Sequence, residues 1–127
     1  MIYNSNIETE TLENTNYRKV LYTGTNMQLV VMCLQPGDDI PAEVHDDIEQ
    51  FFRVEEGTAK VIIDDETFEV SDDEVFIVPP GAKHQVINAG DSELKLYTIY
   101  TPPEHPAGTV HKDQAEADAY EQAHHHH

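Results

Sequence analysis

The chain has 127 residues, with 25 Asp and Glu against 7 Lys and Arg, and its formal net charge at pH 7 is −18. This charge argues against a nucleic-acid partner or an anionic membrane surface, because phosphate binding needs clustered Lys and Arg. No apolar run approaches the ~18 residues of a membrane span, the first residues are not expected to act as a signal peptide because they lack a basic start and an apolar core, and the single cysteine, Cys33, excludes an internal disulfide. We therefore expect a cytoplasmic protein, with Cys33 as a buried thiol in an apolar run.

One domain is expected to account for residues 1–123. Within it, residues 1–26 form an N-terminal arm and first strand, residues 27–101 a barrel core, and residues 102–123 a C-terminal loop and helix. Residues 124–127 are four histidines, which we interpret as the remnant of a purification tag.

Short apolar or alternating segments, separated by turn signals, predict an all-β sandwich or barrel. In one of them Gln50, Phe52 and Val54 share a face, so the two apolar side chains are expected to form cavity wall. Only residues 112–123 have a helix-forming composition, which predicts a short C-terminal helix or a frayed tail. The predicted strands are 27–34, 50–55, 58–63, 67–70, 74–78, 84–88 and 94–100.

Four side chains with metal-binding atoms fall beside predicted turns. Glu43 and His45 are two residues apart, so they point the same way in a strand. The turn at residues 46–49 reverses the chain and lets Gln50 begin a neighbouring strand close to His45. His84 follows a Pro-Pro-Gly turn and opens its own strand. Each histidine taken alone is more often a structural residue than a ligand. Together the four donors suit one divalent first-row transition metal such as zinc, manganese, iron or nickel, whereas magnesium and calcium prefer oxygen ligands.

The same residues carry a resemblance to the cupin family. The first cupin motif runs Gly, five residues, His, one residue, His, three or four residues, Glu, six residues and Gly. The chain has this spacing from Gly37 through Glu43, His45 and Gln50 to Gly57. Glu43 stands in place of the first His and Gln50 in place of the Glu, and both remain oxygen donors.

The second cupin motif runs Gly, five residues, Pro, one residue, Gly, two residues, His, three residues and Asn. The chain has Asp73, Pro79, Gly81, His84 and Asn88 at these positions. Only the first Gly is replaced, and Asp is among the few residues that tolerate a left-handed backbone there.

The resemblance implies a double-stranded β-helix, or jelly-roll barrel, with a metal in the barrel mouth bound by Glu43, His45, Gln50 and His84. Glu-x-His with a following Gln resembles a cupin subgroup described as mannose-6-phosphate isomerase-like. This implies an isomerase or lyase acting on a small hydroxy-carbonyl or sugar-like molecule, in which Glu43 tunes the ion or acts as base. A non-catalytic module that binds a small ligand or metal is one alternative. A metal-dependent dioxygenase is another, although iron sites of that kind usually present more histidines.

Other residues near the motifs are weaker candidates. Glu49 is an alternative ligand, but alternation places it on the opposite face from Gln50. His105 and His111 lie in a Pro-rich loop that either closes the barrel mouth, joins a dimer contact or simply leaves the barrel, and we favour the last. Lys83 and Arg53 are expected to be surface residues.

The exposed edges of a jelly roll predict a homodimer, because an uncovered edge invites pairing. Residues 17–22 carry strand-forming side chains and are expected to pair with a sheet edge, plausibly that of a partner. The net charge also leads us to expect that a neutral or weakly charged ligand binds at least as well as its phosphate ester.

Overall fold

A computed structural model describes residues 2–124, so residues 125–127 of the predicted tag remnant lie outside the described part of the chain. Each predicted strand is present, with ends that differ from the prediction by one residue at most. In chain order the elements are α1 (Ile7–Glu13), β1 (Arg18–Thr23), β2 (Gln28–Leu34), β3 (Asp39–Val44), β4 (Glu49–Glu56), β5 (Ala59–Ile63), β6 (Glu66–Val70), β7 (Val75–Val78), β8 (Lys83–Asn88), β9 (Leu94–Thr101), β10 (Val110–His111) and α2 (Gln114–Ala123).

The strands form two antiparallel sheets, which confirms the predicted jelly roll. A six-stranded sheet has the order β10-β1-β2-β9-β4-β7, and a four-stranded sheet has the order β3-β8-β5-β6. One hydrophobic core combines Phe52 and Leu96 of the first sheet with Val61 and Val86 of the second, all of them 0% exposed. Cys33 is buried as expected, and its burial raises the pKa of the thiol to about 11. Among the described residues, neither helix has the length and apolarity needed to cross a membrane.

The N-terminal arm contains a helix that the sequence did not predict. The expectation that only residues 112–123 are helical is wrong, because α1 also forms. Asn6 caps its first turn by accepting a hydrogen bond from a backbone N–H. At its other end Lys95 of β9 donates to the carbonyl oxygens of Leu12 (2.6 Å) and Asn14 (3.1 Å). This seven-residue helix is therefore stabilised largely by tertiary contacts, as expected for a segment too short to be stable alone.

The turn positions of the two motifs have the predicted backbone. Asp73 has a φ of 70°, so it adopts the left-handed conformation expected at a position where the cupin motif has Gly. Its carboxylate accepts a hydrogen bond from Arg53 (3.1 Å). Gly57 has a φ of 100°, and a Cβ there would lie 2.7 Å from the carbonyl oxygen of Glu93. Both the backbone conformation and the close approach of β9 thus require glycine at this position.

The segment expected to seek a sheet edge pairs within its own chain. Strand β1 lies between β2 and the two-residue strand β10, which pairs with Arg18 and Lys19, so much of the edge formed by residues 17–22 is already covered. The other edge of the six-stranded sheet is β7, a short strand whose Val75 and Ile77 are 50% and 53% exposed. The homodimer stays a prediction, and the structure moves its expected interface to β7.

We expect the protein to be a dimer at micromolar concentration and Ile77→Lys to shift it towards monomer, because a charge would be buried in a β7 interface. Multi-angle light scattering at low and high salt measures both states. Val110→Lys, at the opposite edge of the same sheet, is the matched control and should leave the dimer intact. A wild-type monomer at both salt concentrations would contradict this prediction.

Candidate metal centre

A bulge in β3 places Glu43 beside His84. In the ladder between β3 and β8, Ile40 pairs with Val86 and Glu43 pairs with His84, so three steps along β3 match two along β8. Residues three apart normally lie on opposite faces of a strand, but the extra residue resets the alternation. Pro41, which has no N–H to give to the ladder, lies within this irregularity. Ile40 can therefore pack into the core while Glu43 still faces His84.

The side chains of Glu43, His45 and His84 converge at the end of the barrel. Oε1 of Glu43 lies 3.3 Å from Nε2 of His45 and 3.8 Å from Nε2 of His84. One ligand atom from each of the three residues lies within 4.8 Å of the other two, close enough to hold one metal ion. His84 is 1% exposed, whereas the Glu43 side chain is 39% exposed.

Several buried polar atoms of this group have no hydrogen-bond partner among the described residues. They are both ring nitrogens of His84 and Oε1 of Gln50, while Nε2 of His45 has only the Glu43 carboxylate beside it, at 3.3 Å. Gln50 donates its amide N–H to Thr98 (3.0 Å), which leaves the amide oxygen as the free end. Buried polar atoms are nearly always paired, so this concentration of polar atoms without partners needs an explanation. Two imidazoles, a carboxylate and an amide oxygen fit a divalent transition metal.

The charges in the group favour the protonation states that metal ligands need. Burial by itself would raise the pKa of Glu43, but His45, His84 and Arg18 hold it below its usual value, so the carboxylate is ionised at neutral pH. Burial lowers the pKa of His84, which keeps that imidazole neutral. His45 is the exception, because the Glu43 carboxylate raises its pKa and so favours the protonated imidazole, which must lose its proton to bind a metal. A divalent cation would then balance the negative charge of Glu43 in place of that proton.

The loop after β9 reaches this group. Glu104 has a carboxylate oxygen 3.9 Å from Nδ1 of His45, and burial raises its pKa. Buried Gln28 holds the loop, because its amide oxygen accepts from the N–H groups of Glu104 and His105 and its amide group donates to the His105 carbonyl. The structure thus favours the loop as a cover of the barrel mouth over the simple exit that we expected. Sequence reasoning missed Glu104 because it lies outside both motifs.

Two cavities meet at Glu43. One has a volume of about 360 Å³ and is lined in part by Tyr17, Arg18 and His105, while the other has a volume of about 730 Å³ and is lined in part by His45 and Glu104. Glu43 lines both of them. A ligand in either cavity would therefore contact a candidate metal ligand.

The remaining candidates lie where alternation and charge predict. Glu49 is exposed while Gln50 is 1% exposed, so the two occupy opposite faces of β4. Phe52 is fully buried, and its ring lies 6.2 Å from the His84 ring, beneath the candidate centre. Lys83 is exposed, and Arg53 binds Glu55 and Asp73 away from both cavities. Arg18 lines a cavity, and sequence reasoning missed it.

The comparisons with known proteins agree with this fold. Residues 30–100 match the family described as cupin domain. The uncharacterized protein YrkC of Bacillus subtilis is 43% identical over 122 residues, which cover 91% of this chain and 66% of YrkC. The crystal structure of BH2720 from Bacillus halodurans is 42% identical and superposes with a TM-score of 0.92, covering 94% of this chain and 95% of that one.

A more distant similarity concerns an enzyme of known activity. Mannose-1-phosphate guanylyltransferase RfbM of Salmonella typhimurium is 31% identical over 80 residues, which cover 63% of this chain but only 17% of RfbM. The similarity therefore concerns a small part of that enzyme. The match over residues 30–100, more than half of the sequence, carries the assignment: the chain belongs to the cupin family.

Proposed function

We propose that the chain is a metal-dependent enzyme of isomerase or lyase type that acts on a small hydroxy-carbonyl or sugar-like molecule. The observation that carries this proposal is the convergence of Glu43, His45 and His84 within 4.8 Å at the meeting point of two cavities. A divalent first-row metal held there would polarise a carbonyl or hydroxyl group of the substrate. The similarity to part of RfbM, whose name concerns mannose 1-phosphate, supports a sugar-like ligand.

In this proposal the chain's own residues divide between holding the metal and moving protons. His45, His84 and Gln50 would hold the ion through side-chain atoms that are buried. Glu43 is the one of the four that lines both cavities, and its lowered pKa keeps it ionised, so it can tune the ion or accept a proton from carbon next to a carbonyl. Glu104, whose carboxylate oxygen lies 3.9 Å from Nδ1 of His45, would orient that imidazole.

A second candidate is a metal-dependent dioxygenase. Although we expected more histidines at such an iron site, two histidines and one carboxylate are also a donor set that many non-haem iron oxygenases use. Gln50 as a fourth donor would reduce the number of open coordination positions on the metal. We therefore propose the isomerase or lyase activity first. Measuring oxygen consumption distinguishes the two reactions, since only the dioxygenase consumes oxygen.

The test is deuterium exchange at the substrate carbon next to a carbonyl. NMR in D₂O monitors this exchange with protein loaded separately with manganese, iron, nickel or zinc. Aldoses, ketoses and hydroxy acids form the substrate panel. We expect exchange in the wild type and a loss of about a hundredfold or more in Glu43→Gln, the size typical of removing a general base. Metal content is measured for each variant, so that loss of the ion is separated from loss of the base.

Glu49→Gln is the matched control, because Glu49 is exposed on the other face of β4. It should exchange at the wild-type rate. Oxygen consumption with the iron-loaded protein and no exchange would favour the dioxygenase. Ligand binding with neither reaction, across all four metals, would leave a non-catalytic binding module.

A further inference from the structure

Arg18 is a buried cation that lacks an anionic partner. It is the first residue of β1 and is only 5% exposed. Its Nε has no hydrogen-bond partner, and among residues 2–124 its guanidinium makes no salt bridge with a carboxylate. The buried Lys95 differs, because it donates to two backbone carbonyls and lies 3.8 Å from Glu93. A buried charge without a counter-charge is unfavourable, so binding of an anionic ligand beside Arg18 is favoured.

The groups in contact with the Arg18 guanidinium are neutral, and the carboxylate of Glu43, whose pKa Arg18 helps to lower, forms no salt bridge with it. Nη1 lies 3.3 Å from Nδ1 of His111, and burial, reinforced by Arg18, lowers the pKa of that imidazole. Burial first and then Arg18 lower the pKa of His105 to about 3. The Tyr17 ring, 5.3 Å from Cζ, offers only a cation–π contact. None of these three neighbours supplies the negative charge that the guanidinium lacks.

The guanidinium belongs to the wall of the 360 Å³ cavity that also contains Glu43. In the described part of the chain, Arg18 is the one Lys or Arg that lines either of the two cavities at Glu43. The cavity thus has a cation on one wall and a candidate metal ligand on another. Its volume lies within the range of about 300–1,000 Å³ that is usual for small-molecule sites.

We propose that this cavity binds a small hydroxy or oxo acid, whose carboxylate pairs with Arg18 while its hydroxyl or carbonyl oxygen reaches the metal centre at Glu43. The planar guanidinium can present two N–H groups to one carboxylate, the geometry in which such pairs are strongest. The contact between the ligand's oxygen and the metal centre rests on the proposed function. The contact between its carboxylate and Arg18 does not, since Arg18 is not among the metal ligands.

The charge around the cavity favours a single carboxylate over a phosphate ester. Glu43, Asp118 and Glu121 line the same cavity, so a ligand must face these carboxylates as well as Arg18. One guanidinium balances one negative charge. Apart from the proposed metal, no second cation among the described residues lines this cavity, so the second charge of a phosphate ester would face the surrounding acids and be repelled by them.

The test compares gluconate with its neutral counterpart sorbitol and with sorbitol 6-phosphate, by calorimetry on metal-loaded and on chelator-treated protein. We expect gluconate to bind at least about tenfold more tightly than sorbitol, as a charge-assisted pair should provide. Sorbitol 6-phosphate should bind no more tightly than gluconate. Arg18→Met should remove the preference for gluconate, and Arg53→Met should keep it, because Arg53 is paired with Glu55 and Asp73.

A measurement on the unaltered protein keeps the test independent of how well Arg18→Met folds. The chain has two arginines, Arg18 and Arg53, so the Nε–H region of a ¹⁵N NMR spectrum should contain two signals. Gluconate should shift the Arg18 signal, sorbitol should not, and the Arg53 signal should stay in place. No gluconate preference together with an unmoved Arg18 signal would refute the proposal.

Calorimetry on metal-loaded and on chelator-treated protein separates this proposal from the proposed function. A gluconate preference that persists in chelator-treated protein supports the Arg18 site, even if no metal binds at all. Stoichiometric metal with no gluconate preference overturns the Arg18 site and leaves the metal centre standing. Sorbitol 6-phosphate that binds more tightly than gluconate, and loses affinity in Arg18→Met, would replace the carboxylate by a phosphate.

Discussion

His84→Ala is expected to abolish stoichiometric metal binding. His84 is 1% exposed, and neither of its ring nitrogens has a hydrogen-bond partner among residues 2–124, so it is a fully enclosed candidate ligand. Loss of a direct ligand should weaken metal binding by more than the ~10- to 100-fold that loss of an outer partner causes. His45→Ala should have a similar effect. The metal-binding assignment of Glu43, His45, Gln50 and His84 remains a proposal until this is measured.

The measurement is elemental analysis of protein that lacks residues 124–127, since four consecutive histidines would themselves bind metal. We expect close to one ion per chain after preparation with manganese, iron, nickel or zinc. A chelator should lower the melting temperature of the wild type but not that of His84→Ala, because only a protein that binds the ion gains stability from it. His111→Ala, whose ring contacts Arg18 outside the centre, should keep its metal. Trace metal in the wild type under every condition would show that the site does not bind metal.

Phe52→Ala is expected to lower the free energy of unfolding by about 3–5 kcal/mol, the usual cost of truncating a fully buried Phe. Phe52 is 0% exposed, and its ring stacks on that of Phe76 with centroids 4.5 Å apart. It also lies 6.2 Å from the His84 ring, so the cavity left behind would remove packing that positions this side chain. We therefore expect weaker metal binding as well as lower stability.

Phe51→Ala is the matched control for Phe52→Ala. Phe51 is the neighbouring residue on β4, but it points to the outer face and is only partly buried, with the Tyr97 ring 6.1 Å away. Urea unfolding of chelator-treated protein should give a clearly smaller loss for Phe51→Ala than for Phe52→Ala. Equal losses would mean that the two faces of β4 do not differ in packing as the structure shows.

Local patterns predicted most of the barrel. Gln50, Phe52 and Val54 are buried and alternate with exposed or half-buried residues along β4. The alternation in the sequence therefore predicted the buried face of this strand. Asp73 was expected to take a left-handed backbone and does. These predictions succeed because strand faces and turn conformations depend on neighbours within a few residues.

Other features depend on contacts that the sequence does not display. Helix α1 owes its C-terminal end to Lys95, more than 80 residues away along the chain. The pairing of Glu43 with His84 requires the irregularity at Pro41, which shifts the register of β3 against β8. Neither the missed helix nor this register follows from local propensity.

By itself, the sequence determined the family, the jelly roll and the residues proposed to bind metal, because motif spacing sets which side chains leave which strands at which turns. Only the tertiary structure decided what surrounds these residues. The pairing of β1 with β10 buries Arg18 beside the cavity, and the contact of the loop with Gln28 places Glu104 beside His45. Both residues lie outside the motifs, and only the folding of distant segments against one another brings them to the mouth of the barrel.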